Sequence, residues 1–234
     1  MRKKKPALHI VGSILIIIAI VLGILVTIVR AVPDLESQLY GFIRYGYPRL
    51  TTLRCPMLMT SLDRLPVTIR LKNPLDKNLT WYVNTQLSTP LVMTTDKQTL
   101  ELSPGETRIL TYEVDKNNID LQIFIFAHVF SSAGSLGMRE ATCGTFTLPL
   151  SFTGGPYIYY SALGAFVLFT VAGLWLWLRH ADMSEPSVVS RSWWLRFLIP
   201  VLALAIVTSI FGWWLLAFLL LILTMLTLIV GLLR

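Results

Sequence analysis

Residues 197–233 form a run of 37 without an ionisable side chain, and no other feature constrains the fold as tightly. As one straight helix the run would be about 55 Å long, far more than the roughly 30 Å of hydrocarbon that one crossing spans. The expected solution is a hairpin broken near Ser209, Ile210, Phe211 and Gly212, with helices over about 194–210 and 213–233. The alternative has three crossings in all and a tilted or re-entrant last segment. Two more apolar blocks, 10–29 and 157–178, are also long enough to cross. The expected fold class is therefore a mixed membrane protein with four transmembrane α-helices and a β-domain between the first and second.

The formal charge of +7 follows this layout. Arg2, Lys3, Lys4 and Lys5 supply +4, residues 30–155 hold twelve basic and eleven acidic side chains, and the remaining excess flanks the later apolar blocks. Cations at membrane flanks follow the positive-inside tendency, so the charge implies no nucleic-acid partner. The apolar run after the basic cluster exceeds the roughly 7–15 residues of a cleaved signal and reads as an uncleaved signal anchor. The expected order is a cytoplasmic tail and anchor over 1–30, a juxtamembrane linker over 31–51, an extracytoplasmic domain over 52–155, a second crossing over 156–178, a cytoplasmic loop over 179–193, and the hairpin over 194–234. Both termini are then cytoplasmic in a multi-pass cell-membrane protein, with residues 31–155 outside.

In the linker, Leu35, Leu39, Phe42, Ile43 and Gly46 recur at three- and four-residue intervals, the pattern of a helix lying at a membrane interface. The other reading packs Tyr40, Phe42, Tyr45 and Tyr47 between the outer domain and the helices. Either way these rings are expected in contacts, since so many exposed aromatics would be costly.

Beyond residue 52 the apolar runs shorten and alternate. Val67, Ile69 and Leu71 share one face against Thr68, Arg70 and Lys72, as in a half-buried strand, and Leu79, Trp81, Val83 and Leu110, Tyr112, Val114 repeat the pattern. Residues 121–130 are apolar on both faces, which predicts a central strand or one that meets a partner through Phe124 and Phe126. Asn73-Pro74, Ser103-Pro104-Gly105 and Gly154-Gly155-Pro156 mark turns. About seven or eight short strands predict a two-layer β-sandwich. The stretch 67–74, the alternating strands and Leu102-Ser103-Pro104-Gly105-Glu106 resemble immunoglobulin-like modules of prokaryotic cell-surface proteins. The resemblance covers the outer domain alone and implies adhesive, spacing or subunit-contacting roles with no particular ligand. The usual inter-sheet cysteine pair with a tryptophan between is not matched.

Cys55 and Cys143 are the two cysteines, and an oxidising compartment predicts a disulfide joining the domain's ends. Closing so long a loop would contribute about 4 kcal/mol through the chain entropy of the unfolded state. A copper(I) site is the rival reading, built from Met57, Met59 and His128 with Cys55, Met93, Met138 and Cys143, where the thioethers and thiolates are the soft donors; a disulfide and flexible core fillers explain the same residues more simply. Asn78-Leu79-Thr80 matches a glycosylation acceptor at Asn78. No catalytic triad, paired-histidine metal motif or phosphate loop is present, and the expected cofactor set is empty. The later apolar blocks carry no internal charge of the kind that marks ion or solute pathways. The expected function is a non-catalytic accessory subunit contacting lipids and other integral membrane proteins. The alternatives are a surface binding module for glycan or protein, and a copper-handling or transport-associated protein.

Overall fold

The computed structural model describes residues 6–42, 46–90, 93–180 and 186–232. The chain divides into two compact units, one of residues 1–31 and 157–234, the other of residues 32–156.

The second unit is rich in β-structure. In chain order its strands are β1 (Leu53–Arg54), β2 (Leu58–Thr60), β3 (Leu65–Lys72), β4 (Leu79–Leu87), β5 (Thr94–Leu102), β6 (Thr107–Val114), β7 (Phe124–Ser132) and β8 (Met138–Leu148). They form an open three-stranded sheet, β1-β3-β6, and an open five-stranded sheet, β2-β8-β7-β4-β5. One apolar cluster draws on both sheets, with Val67, Ile69 and Leu71 of β3, Trp81 and Val83 of β4, and Ile125, Ala127 and Val129 of β7. The alternation seen in the sequence reports this faithfully, because a period of two puts every second side chain on one face. β5 is an edge strand with Asp96, Lys97 and Glu101, charges that discourage further pairing.

The immunoglobulin-like sandwich expected from the sequence is corrected by the pairing. Both sheets are open, and the larger is mixed, because β2 runs parallel to β8 while the pairs β8–β7, β7–β4 and β4–β5 are antiparallel. Pro56, which lacks a backbone N–H, interrupts residues 53–60, and the pieces on either side join different sheets. Alternation reveals which face a residue takes, but not its strand's neighbour.

The helical unit contains most of α1 (Pro6–Leu39), almost all of α2 (Gly155–His180), and the whole of α3 (Pro186–Ile210) and α4 (Trp214–Leu232). Glycines let α1 and α2 approach: a Cβ on Gly12 would lie 2.8 Å from the Trp177 backbone N, and one on Gly173 would lie 2.9 Å from Ile16 Cγ1. The hairpin breaks where expected. Gly212 takes φ +72°, its N–H bonds to the Ser209 carbonyl, and the Trp213 N–H bonds to that of Thr208, so a left-handed residue closes α3. Trp194 Nε1 donates to the Thr227 carbonyl at 2.9 Å and ties the two arms together.

Four membrane crossings are corrected to two candidates. Among the described residues only α1 and α2 are long and apolar enough to cross, while the apolar parts of the hairpin, Trp194–Ile210 and Trp214–Val230, are shorter. Dividing one long run at a turn leaves each arm under the roughly 20 residues of a typical span. The signal anchor ending near Val29 is corrected as well: α1 passes through Pro33 without breaking and continues to Leu39, so its last turns belong to the β-rich unit.

Candidate functional site

The last turns of α1 rest on β8. Pro33, Asp34 and Ser37 are buried there, while Leu39 is exposed and Leu35 half-buried, so the side of the helix that packs is not the apolar side an interfacial helix would use. The reason is hydrogen bonding. Asp34 Oδ1 accepts from the Gly144 N–H at 3.1 Å, Ser37 Oγ and Thr142 Oγ1 pair at 3.2 Å, and Gln38 Nε2 donates to the same threonine hydroxyl. Ser37 Oγ also lies 2.7 Å from the Asp34 carbonyl. Contact is close because Gly144 has no side chain: a Cβ there would stand 2.2 Å from the Pro33 carbonyl oxygen.

The aromatic residues continue this seat. Phe42, Phe124 and Phe126 form a buried cluster with Val32, Tyr40, Met93, Ile123 and Phe146 around it. β7 thus buries both faces, its odd residues in the cluster shared by the sheets and its even residues Phe124 and Phe126 under the helix end. The exposed partner face expected at Phe124 and Phe126 is therefore corrected, since the segment that covers them belongs to the chain itself. Phe42 stacks on His128 at 5.4 Å between centroids, and His128 Nδ1 lies 3.2 Å from Gln86 Oε1 and Nε2 3.5 Å from Glu140 Oε2. Glu140 Oε1 also accepts from the Gly46 and Tyr47 N–H groups at 2.7 and 3.1 Å. Tyr47 is partly exposed and packs on Phe130, and Tyr45 lies outside the described residues.

Tyr40 donates its hydroxyl hydrogen bond to Asp120. Asp120 leads into a turn where Leu121 and Gln122 take φ of 47° and 71°, a left-handed conformation that costs non-glycine residues roughly 1–2 kcal/mol each. Asp120 Oδ1 steadies this turn by accepting from the Leu121 N–H at 2.7 Å. Burial, then the Asp120 hydrogen bond and charge, push the Tyr40 phenol up to about 12. The neutral phenol is favoured by folding, so the stability it contributes is complete below the unfolded value near 10 and disappears as pH rises toward the folded value. Tyr40→Phe is expected to cost about 1 kcal/mol at neutral pH and to flatten the alkaline loss of stability, as melting midpoints across that range would show.

A second aspartate clamps the start of α2. Asp63 accepts from the Thr60 N–H at 2.8 Å through Oδ2, from Gly154 at 2.8 Å through Oδ1, and from Gly155 at 2.9 Å through Oδ2. Gly155 is again a matter of space, since a Cβ would stand 2.5 Å from the Leu58 carbonyl oxygen. Burial raises the Asp63 carboxyl, but the Thr60, Gly155 and Gly154 N–H groups outweigh it and hold the group below the usual range. Stability from this depressed carboxyl is present above the unfolded value of about 3.9 and is lost as pH falls through the folded one. Asp63→Asn is expected to cost about 2 kcal/mol at neutral pH and to shrink the acid-induced drop in melting temperature.

Cys55 and Cys143 form the disulfide, with Cα atoms 6.0 Å apart. Neither sulfur is then a thiolate, which removes Cys55 and Cys143 from the copper set. Met59 is buried in the cluster shared by the sheets, whereas His128 stacks on Phe42. Their partners on β8, Thr147 and Thr142, are five residues apart, about 17 Å along the strand. Met57 lies in the connection ahead of β2, Met93 beside the aromatic cluster, and Met138 is exposed at the start of β8. Among the described residues no group of three or more His, Cys, Asp or Glu side chains could hold a metal ion. Asn78 is exposed just before β4. The polar organisers Asp34, Asp63 and Asn73 went unrecognised in the sequence. Asn73 makes the turn that Asn73-Pro74 signals, its Oδ1 accepting from the Leu75 N–H at 3.0 Å, and it is also buried, with Nδ2 donating to the carbonyls of Lys77, Leu102 and Ser103.

No family model matches this chain, and no curated protein matches it. Solved structures with partial likeness include a β-glucuronidase of Bacteroides uniformis, at 15% identity over 36% of this chain and 11% of that one with a TM-score of 0.29. Another is a superoxide reductase (neelaredoxin) from Ignicoccus hospitalis, at 10% identity over 41% of this chain and 78% of that one with a TM-score of 0.31. A β-glucosidase from Erythrobacter marinus matches at 15% identity over 39% of this chain and 14% of that one with a TM-score of 0.27. The chain spans only 11% of the Bacteroides enzyme, and likenesses of this size carry no argument about fold or chemistry.

Proposed function

We propose that this chain is a non-catalytic accessory or structural subunit of a membrane protein complex, embedded through its apolar helices and offering its β-rich unit to extracytoplasmic partners. The outward surface of the helical unit carries this reading. Ile10, Ile14, Ile17, Val21 and Leu25 make an exposed stripe along α1, and Val167, Leu168, Val171 and Trp175 are exposed on α2. Apolar surface this continuous calls for cover by lipid or by other membrane proteins. The disulfide supports an oxidising location for the β-rich unit. The clamps at Asp34 and Asp63 suit a scaffold, because they hold the helix end and the helix start firmly against the strands. A glycan-binding surface has less support, since Phe42, Phe124 and Phe126 pack inside.

Purification of the tagged protein from its own membranes in mild detergent, with mass spectrometry of co-eluting chains, tests the reading. Stoichiometric recovery of other integral membrane proteins is the expected result. Recovery of this chain alone, repeated after crosslinking in intact membranes, would overturn it.

A further inference from the structure

Near the C-terminal end of α2, a half-open groove of about 300 Å³ separates that helix from α3. Leu174, Trp177 and Leu178 line one wall, and Leu195, Ile199 and Pro200 the other. Arg196 is the charged member of the lining, and its side chain is exposed. The volume sits at the lower end of the range for small-molecule sites, which are apolar with a few placed polar groups.

We propose that this groove binds one anionic phospholipid, with an acyl chain between α2 and α3 and the phosphate on Arg196. The inference rests on the membrane reading above. Charge complementarity selects the occupant. Over residues 179–196 the sequence sets Arg179, Arg191 and Arg196 against Asp182 and Glu185; neither helix itself carries a carboxylate side chain, and Arg179 and His180 stand in the last turn of α2, where the helix dipole favours cations. Arg179 lies over the Trp175 ring at 4.9 Å from its centroid, so a second guanidinium is held at the same end of α2 as the groove. A guanidinium meets phosphate through paired, directional N–H donors, which a zwitterionic headgroup offsets with its own cation. A neighbouring apolar helix would gain nothing from a guanidinium on the groove's wall.

The test uses the full chain in mild detergent, offered equal amounts of phosphatidylglycerol and phosphatidylcholine, with retained lipid counted by native mass spectrometry. One phosphatidylglycerol per chain is expected to survive conditions that strip phosphatidylcholine, and Arg196→Gln is expected to lower its retention about tenfold, with Arg196→Lys between. Ile199→Trp, which fills the groove and keeps the charge, should also displace the lipid. Equal retention of the two lipids, or retention unchanged in Arg196→Gln and Ile199→Trp, would overturn the site. Flotation with vesicles of each lipid separates the two levels: a chain that floats with both but shows no anionic preference ends this inference alone, and a chain that floats with neither ends the membrane reading with it.

Discussion

Gly144→Ala is expected to destabilise the β-rich unit by about 4 kcal/mol, from overpacking of roughly 1–3 kcal/mol together with the loss of buried hydrogen bonds. The added methyl would stand 2.2 Å from the Pro33 oxygen and 2.4 Å from its carbonyl carbon. Both are backbone atoms, so no rotamer change relieves the clash and the last turns of α1 must lift from β8. Lifting breaks the bond from Gly144 N–H to the Asp34 carboxylate, and Asp34 as a residue is only 4% exposed. The Ser37 and Gln38 bonds to Thr142 and the packing over Phe124 and Phe126 weaken with it. Against a typical stability of about 5–15 kcal/mol the loss is large. Thermal and denaturant unfolding of the full chain in detergent would measure it, with Gly164→Ala as control because a Cβ there meets nothing within 4 Å. Equal midpoints for the two variants would show that α1 does not end on β8. Asp34→Asn, which keeps an acceptor oxygen, is expected to cost less than Gly144→Ala.

Strands and helices were largely legible because their signals are local. The alternation of Val67, Ile69 and Leu71 fixes one buried face, and the pairing of β3 with β6 follows it through eight residues. The apolar blocks gave the helices, and Gly212 gave the turn of the hairpin. The extent of α1 was hidden because Arg30, Pro33 and Asp34 together look like the end of a helix. In the folded chain the helix continues past Pro33, and Asp34 and Ser37 find partners on a strand more than 100 residues away. That information is long-range, and no periodicity contains it. Residues 121–130 show the same limit: two apolar faces correctly announced that β7 is covered twice, but left open whether another protein or the chain itself does the covering. The site was hardest to see because its organisers are single polar residues. Asp34 and Asp63 resemble ordinary surface carboxylates until Gly144, Gly154 and Gly155 place N–H groups around them.

Replacing both cysteines by alanine is expected to cost the β-rich unit about 4 kcal/mol, through the entropy returned to the unfolded chain. The bond joins residues 88 apart in sequence, and such a loop loses much of its freedom when closed. In the fold it connects the segment between β1 and β2, which belong to different sheets, with Cys143 of β8 beside the glycine that seats α1. Cys143 is itself buried in the cluster shared by the sheets, so alanine also removes some packing there. The expected result is a fall in the unfolding midpoint of the Cys55→Ala/Cys143→Ala variant slightly larger than the fall produced by reducing the wild-type protein, which keeps both sulfur atoms in place. Reductant should leave the double variant unchanged. A midpoint in the double variant equal to that of the oxidised wild type would show that the covalent link adds no net stability to the fold. The loss should also be close to additive with that of Asp63→Asn, which acts at the start of α2, and less than additive with that of Gly144→Ala, whose residue adjoins Cys143 on β8.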